Sequence, residues 1–117
     1  VYKRQTLSCP LNDTSDLNNP NCVKVSTNID NYALDFLRIS DEKNLNKHIG
    51  IYGYSLKTLK KLVALKPSNR EIEFKLEQLR FLDNDFSIYV SHYNNIVPHG
   101  IDTDSDVKKA KEILKNL

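Results

Sequence analysis

Between Cys22 and Tyr54 apolar residues recur mostly at every second position, and from Leu56 onward mostly at every third or fourth. The first period is that of strands and the second that of helices. "QTLSCPL" reads as a short strand weakened by Pro10, and the Asn-, Asp-, Ser- and Pro-rich stretch Asn12–Asn21 as a loop. "CVKVS" and "YALDFLRI" both alternate around the turn-forming "TNIDN" and predict a β-hairpin. On that alternation Val23 and Val25 share a face, as do Tyr32, Leu34, Phe36 and Arg38. After the polar "SDEKNLN" comes the strand "NKHIGIYGYS", with His48, Gly50, Tyr52 and Tyr54 on one face and Ile49, Ile51 and Gly53 on the other. The isoleucine face is expected to be core.

Helical spacing takes over at Ser55, an N-cap, with Leu56, Leu59, Leu62 and Val63 forming a stripe that Pro67 ends. "SNRE" is a capping box opening a helix with the stripe Ile72, Leu76, Leu79 and Leu82, broken by "DND". "FSIYV" is a strand with Phe86, Ile88 and Val90 inward, and "NNIVPHGID" is a loop. A last helix is capped by Thr103, with Asp106 three positions on and a stripe of Val107, Ala110, Leu114 and Leu117. Strands and helices in this order predict an α/β fold that is part of a larger sheet.

Composition narrows the class. The 117 residues carry 17 basic and 15 acidic side chains, a net charge of +2, too balanced to argue for nucleic acid or an anionic membrane surface. No apolar run is long enough to span a membrane, and no secretory leader pattern is recognisable. Cys9 and Cys22 match no zinc or redox spacing and are expected to be reduced thiols of a cytoplasmic protein. The basic start "VYKRQ" joins no periodic pattern, so residues 1–5 are read as a candidate non-native leader and 6–117 as part of one domain.

The chemistry concentrates in a few places. His48 and Tyr52 flank Gly50 on one strand face. In a regular strand they stand roughly 13 Å apart, a gap that could hold a sugar. The structural alternative is that Gly50 marks a bulge or a close backbone approach. Arg38 ends an otherwise apolar strand, as a ligand or as an edge charge. In "KLEQLR", Glu77 and Gln78 are adjacent on a helix, so they are not expected to point the same way. The plain reading there is a solvated face. Asp102 precedes a helix N-terminus, where a carboxylate either caps the helix or binds a hard cation. No P-loop, dinucleotide fingerprint, nucleophile elbow or zinc motif is present.

Taken together, "NNPNCVKV", "YALDFLR", "KHIGIYGYS", "KLEQLR" and "GIDTDSDVKKA" resemble the C-terminal half of the 3-deoxy-manno-octulosonate cytidylyltransferase (CMP-Kdo synthetase) family of lipopolysaccharide assembly. The resemblance runs from about Thr6 to the end. Sialic-acid-type cytidylyltransferases share that fold but resemble these segments less. The resemblance implies a partial Rossmann-like nucleotide-sugar transferase fold, a mixed sheet with flanking helices and a dimerisation hairpin. It implies transfer of CMP from CTP to Kdo with release of pyrophosphate, using Mg2+, in a cytoplasmic homodimer with neither nucleic acid nor membrane insertion. Arg38, His48, Tyr52, Glu77 and Gln78 match the family's sugar-binding positions, and Asp102 matches its magnesium-holding aspartate.

The sequence also departs from the family. The Gly/Ser-Arg-Lys loop that binds the triphosphate and a second metal aspartate are not found here. The text around Arg38 is "FLRISDEK", without the family's preceding serine and following Ile-Pro. The chain alone is therefore expected to be an inactive part of an active enzyme. The alternatives are a cytidylyltransferase for another acidic sugar of the sialic-acid type, and a non-catalytic α/β interaction module.

Overall fold

The computed structural model of the chain describes residues 4–11, 13–42, 44–98 and 100–117. In chain order the elements are β1 (Arg4–Cys9), a 3-10 helix (Thr14–Asn18), β2 (Lys24–Thr27), β3 (Ala33–Leu37), β4 (Asn46–Tyr54), α1 (Leu56–Val63), α2 (Asn69–Phe74), α3 (Gln78–Asp83), β5 (Tyr89–His92) and α4 (Asp104–Lys115). The strands form one five-stranded sheet in the order β3-β2-β4-β1-β5. It is mixed, with β1 antiparallel to β4 and parallel to β5. The sheet curls until its outer strands touch. Tyr32 bridges Tyr89, and the backbone N–H of Val90 donates to Asn31 O at 2.8 Å. This is the expected mixed α/β architecture. The core inside the curl comprises Val25, Ala33, Phe36, Leu76, Leu79, Ile88 and Val90.

Arg4 and Gln5, read from sequence as part of a leader, are the first residues of β1 and pair with Tyr54 and Gly53. Arg4 Nε donates to Ser87 O at 2.5 Å, and its guanidinium lies over Phe86. Residues 1–3 lie outside the described residues.

Three expectations fail for one reason: alternation along a strand says nothing about irregular pairing. In the hairpin the register slips between Ser26 and Thr27, so Ala33 and Phe36 both point into the core while Leu34 is exposed. Tyr32, Leu34 and Phe36 therefore do not share a face. The isoleucine face of β4 is not core either, since Ile51 is 63% exposed. The third is the gap between His48 and Tyr52. β1 meets β4 with Thr6 opposite Tyr52 but Leu7 opposite Ile49, so Gly50 and Ile51 have no register partner. That bulge brings the rings of His48 and Tyr52 to 5.5 Å between centroids. The bulge alternative for Gly50 holds, and the extended gap does not.

The helix opened by "SNRE" is two short helices. Its capping box forms as read, with Ser68 Oγ accepting from Glu71 N and the Glu71 carboxylate from Ser68 N. The chain then takes a left-handed conformation at Lys75 (φ 55°), which costs a non-glycine residue roughly 1–2 kcal/mol. Arg38 compensates. Its Nε and Nη2 donate to Phe74 O (2.6 Å) and Lys75 O (3.0 Å), carbonyls at the end of α2, and its Nη1 to Pro20 O (2.7 Å). A second arginine ties α3 back to α2. Arg80 grips the buried Glu71 carboxylate in a two-pronged pair, both contacts at 2.7 Å, and holds the Glu71 carboxyl below its usual range.

Candidate functional site

The bulge in β4, the left-handed break at Lys75 and the start of α3 meet at a cavity of about 420 Å³. Its lining is His48, Gly50, Tyr52, Tyr54, Lys75, Glu77, Gln78 and Phe81. The apolar part is a continuous aromatic wall. His48 packs edge-on against Phe36, Tyr52 lies beside His48, Tyr54 stacks on Tyr52, and Phe81 meets Tyr54 edge-on. Such a wall beside a few polar groups is the usual make-up of a small-molecule site.

Four of the residues singled out from sequence therefore come together. Glu77 and Gln78 both line the cavity despite being adjacent, because Glu77 precedes the first turn of α3 and Gln78 begins it. Glu77 is exposed and Gln78 is buried. At 6% exposure the Gln78 side-chain amide pairs with none of the described residues. Buried amides are nearly always hydrogen-bonded, so an unpartnered one facing a cavity points to something that fills it.

Electrostatics keep the pocket neutral at its centre. Burial pushes the His48 imidazole down to about 4, so it is uncharged at neutral pH. Burial, reinforced by Tyr54 and Glu77, pushes the Tyr52 phenol above its ordinary range, so it stays protonated. Both groups can hydrogen-bond to a polyol without charge. The cation among the lining residues is Lys75.

Gly50 joins this cavity to a second one of about 240 Å³, which His48 and Gly50 also line. Asp102 and Asp106 line this second cavity as well. The segment that carries Asp102 is tied to the sheet twice. The N–H of Tyr93 donates to Ser8 O at 2.7 Å, and Lys47 Nζ donates to Val97 O at 2.9 Å. No packing reason is visible for the glycine, since a Cβ at Gly50 would meet nothing within 4 Å.

Asp102 does not cap α4. Thr103 does, in a capping box with Asp106 as read from sequence. The Asp106 carboxylate accepts from the N–H groups of both Asp102 and Thr103. The Asp102 carboxylate pairs with none of the described residues and lines the cavity. It suits a hard divalent cation as a single oxygen ligand. Among the described residues no group of three or more His, Cys, Asp or Glu is placed to hold a metal, so a cation at Asp102 would need further ligands from a substrate or from outside these residues.

Arg38 is the sequence candidate that stays out of the cleft. It lies beyond the α2–α3 break, in a separate depression with Pro20, Phe36 and Phe74. Its guanidinium is engaged with three backbone carbonyls. Sequence reasoning quoted Lys75 only as the first residue of "KLEQLR", without a role, and did not single out Thr6. The left-handed conformation of Lys75 gave no signal, because a left-handed lysine has no local signature. Thr6 gave a faint one: Thr6 and Ser8 are hydroxyl residues in a central strand, and each turns out to meet a histidine, His48 and His92. Another cavity, about 610 Å³ beside α4, borders Asp106 but none of the residues of the aromatic cleft.

No protein-family model matches the chain. Curated relatives do. It is 36% identical to a 3-deoxy-manno-octulosonate cytidylyltransferase of Psychromonas ingrahamii, over 95% of this chain and 51% of that protein. The enzyme of the same name from Bartonella bacilliformis is 40% identical over 93% of this chain and 47% of its own length. Among solved structures, a CMP:2-keto-3-deoxy-manno-octonic acid synthetase complexed with CTP superposes on 99% of the chain, and on 50% of its own, with a TM-score of 0.84 at 25% identity. An inositol-1-phosphate CTP transferase from T. maritima shares the fold, with a TM-score of 0.64 at 19% identity over 98% of this chain and 45% of its own. The chain spans about half the length of the curated relatives it matches. The chain therefore belongs to the 3-deoxy-manno-octulosonate cytidylyltransferase family and has the fold of about half of such an enzyme.

Proposed function

We propose that the full-length protein transfers CMP from CTP to 3-deoxy-D-manno-octulosonate (Kdo), and that the aromatic cleft of this chain receives the sugar. The observation that carries this reading is the buried Gln78 amide, unpartnered among the described residues and lining a cavity with His48, Tyr52 and Glu77. A polyol offers donors and acceptors together, which is what an amide, a phenol and a neutral imidazole satisfy. Kdo is also an acid, and Lys75 supplies the matching charge at the rim.

In the reaction the anomeric hydroxyl loses its proton and its oxygen bonds to the α-phosphorus of CTP, while the bond to the departing pyrophosphate breaks. This chain's part is to hold the sugar so that its anomeric oxygen faces the second cavity, where Asp102 stands. Catalysis of this kind rests on positioning. Asp102 would hold Mg2+ with substrate phosphates, and the ion when bound neutralises charge that builds on those phosphates. We further propose a cytoplasmic homodimer, joined through the β2–β3 hairpin, whose product feeds lipopolysaccharide assembly. No helix of the described residues is long and apolar enough to cross a membrane.

The test is CMP-sugar formation by the full-length protein with Kdo and, separately, with a sialic acid. Gln78→Ala and His48→Ala should each raise the KM for Kdo by roughly 5- to 150-fold, the equivalent of about 1–3 kcal/mol, while CTP binding persists. Unchanged Kdo affinity in both variants would remove the sugar from this cleft. Preferential turnover of sialic acid would reassign the substrate.

A further inference from the structure

Thr6 sits in the middle of β1, opposite the bulge of β4, and is 2% exposed. Its hydroxyl oxygen lies 2.9 Å from Ile51 O, 3.2 Å from Ile49 O and 2.9 Å from His48 Nε2. A hydroxyl has one proton to give, and a carbonyl oxygen can only accept. Two oxygens 2.9 Å apart therefore need that proton between them. It goes to Ile51 O, with Ile49 O as a second acceptor, and none is left for His48. The imidazole must then be the donor, with its proton on Nε2. The reverse assignment would set the hydroxyl lone pairs against two carbonyl oxygens in a buried place, where an unmade hydrogen bond is costly.

A neutral imidazole protonated on Nε2 carries its lone pair on Nδ1. Among the described residues Nδ1 has no hydrogen-bond partner. The ring cannot easily turn to exchange the two nitrogens, because Phe36 packs against it at 4.9 Å and 72° and Tyr52 flanks it. We propose that Thr6 is a positioning residue that fixes His48 as the Nε2–H tautomer, so that Nδ1 serves the cleft as a hydrogen-bond acceptor and selects a hydroxyl of the substrate rather than its carboxylate. A carboxylate at Nδ1 would face a lone pair. The acid group of the sugar is thereby directed away from His48 and toward Lys75, the cation among the residues lining the same cavity. Burial of His48 favours the same state, since it keeps the ring neutral. The tautomer follows from this chain's geometry alone, whereas the choice of hydroxyl rests on the sugar-binding reading above.

The experiment uses the full-length protein labelled with 15N-histidine. Two-bond 1H–15N correlation at pH 7.5 distinguishes the tautomers, and His48→Gln identifies the signal. Wild type and Thr6→Ser should both show His48 as the Nε2–H form. Thr6→Val, nearly isosteric, should show a mixture of tautomers and a KM for Kdo raised about tenfold, with Thr6→Ser restoring it. An Nδ1–H signal in the wild type overturns the proposal without any variant. So does a wild-type tautomer in Thr6→Val. A mixed tautomer with unchanged KM overturns the role in selecting a hydroxyl. If the protein transfers CMP to no acidic sugar, the functional reading falls while the histidine spectrum still decides the role of Thr6.

Discussion

Replacing Arg38 with alanine separates two roles that its sequence context left open. In the structure its guanidinium makes three hydrogen bonds to backbone carbonyls, at 2.6, 2.7 and 3.0 Å, and two of them belong to the α2–α3 break. Each is a charged donor at the surface, where water can replace it, so a net contribution of about 1 kcal/mol apiece is the appropriate scale. Loss of all three, with some coupling between neighbours, gives about 2–3 kcal/mol. For a domain of 150–250 residues this lowers Tm by roughly 5–10 °C. Lysine keeps the charge but not the planar fork, so Arg38→Lys should recover about a third of the loss. The break at Lys75 sets Glu77 and Gln78 at the cleft, so Arg38→Ala should also speed amide hydrogen exchange in α3 and raise the KM for Kdo. Thermal melting, hydrogen exchange and sugar kinetics on the full-length protein check this together. If Arg38→Ala melts within about 1 °C of wild type yet loses Kdo binding, the arginine contacts the sugar carboxylate directly and the argument from its carbonyl partners is wrong.

Three further outcomes follow from the geometry. His48 is held at about 4 against an ordinary 6.5, so as pH falls the unfolded chain takes up this proton first. Stability linked to His48 is complete above pH 6.5 and is lost progressively down to about pH 4, by up to roughly 3 kcal/mol, so urea titrations should show a steeper acid decline in wild type than in His48→Gln; parallel curves would contradict the buried neutral ring. Asp102→Asn should leave thermal stability unchanged, because Thr103 caps α4, yet reduce CMP transfer on the order of a hundredfold across a magnesium titration; normal turnover at ordinary magnesium would deny it a metal role. Phe36 lies in the core, so the hairpin as a dimer interface is better probed at Leu34, which is 61% exposed. Leu34→Glu should give a folded monomer in sedimentation velocity with a stability change within about 0.5 kcal/mol, and a persistent dimer would place the interface elsewhere.

Local rules fixed much of this chain before any tertiary contact was known. The capping boxes at Ser68/Glu71 and Thr103/Asp106 form where the spacing puts them, because a cap involves only neighbours in sequence. The strands "KVST", "ALDFL" and "NKHIGIYGY" fall in the segments where apolar alternation puts them, although their buried positions do not keep that alternation. The quoted motifs also named His48, Tyr52, Glu77 and Gln78, which the fold gathers at one cavity. What only the tertiary structure decided lies wherever a residue's partner is far along the chain. The distance between His48 and Tyr52 depends on how β1 pairs with β4, and that register is invisible in either strand alone. The exposure of Ile51 and the burial of Phe36 depend on what covers each face of a curled sheet. Lys75 is left-handed because Arg38, 37 residues earlier in the chain, satisfies the carbonyl that the break frees, a pairing no helix propensity encodes. The proton on His48 is set by a threonine 42 residues away, since a hydrogen atom's position is decided by every acceptor within reach of its donor, and those acceptors are assembled only when the sheet forms.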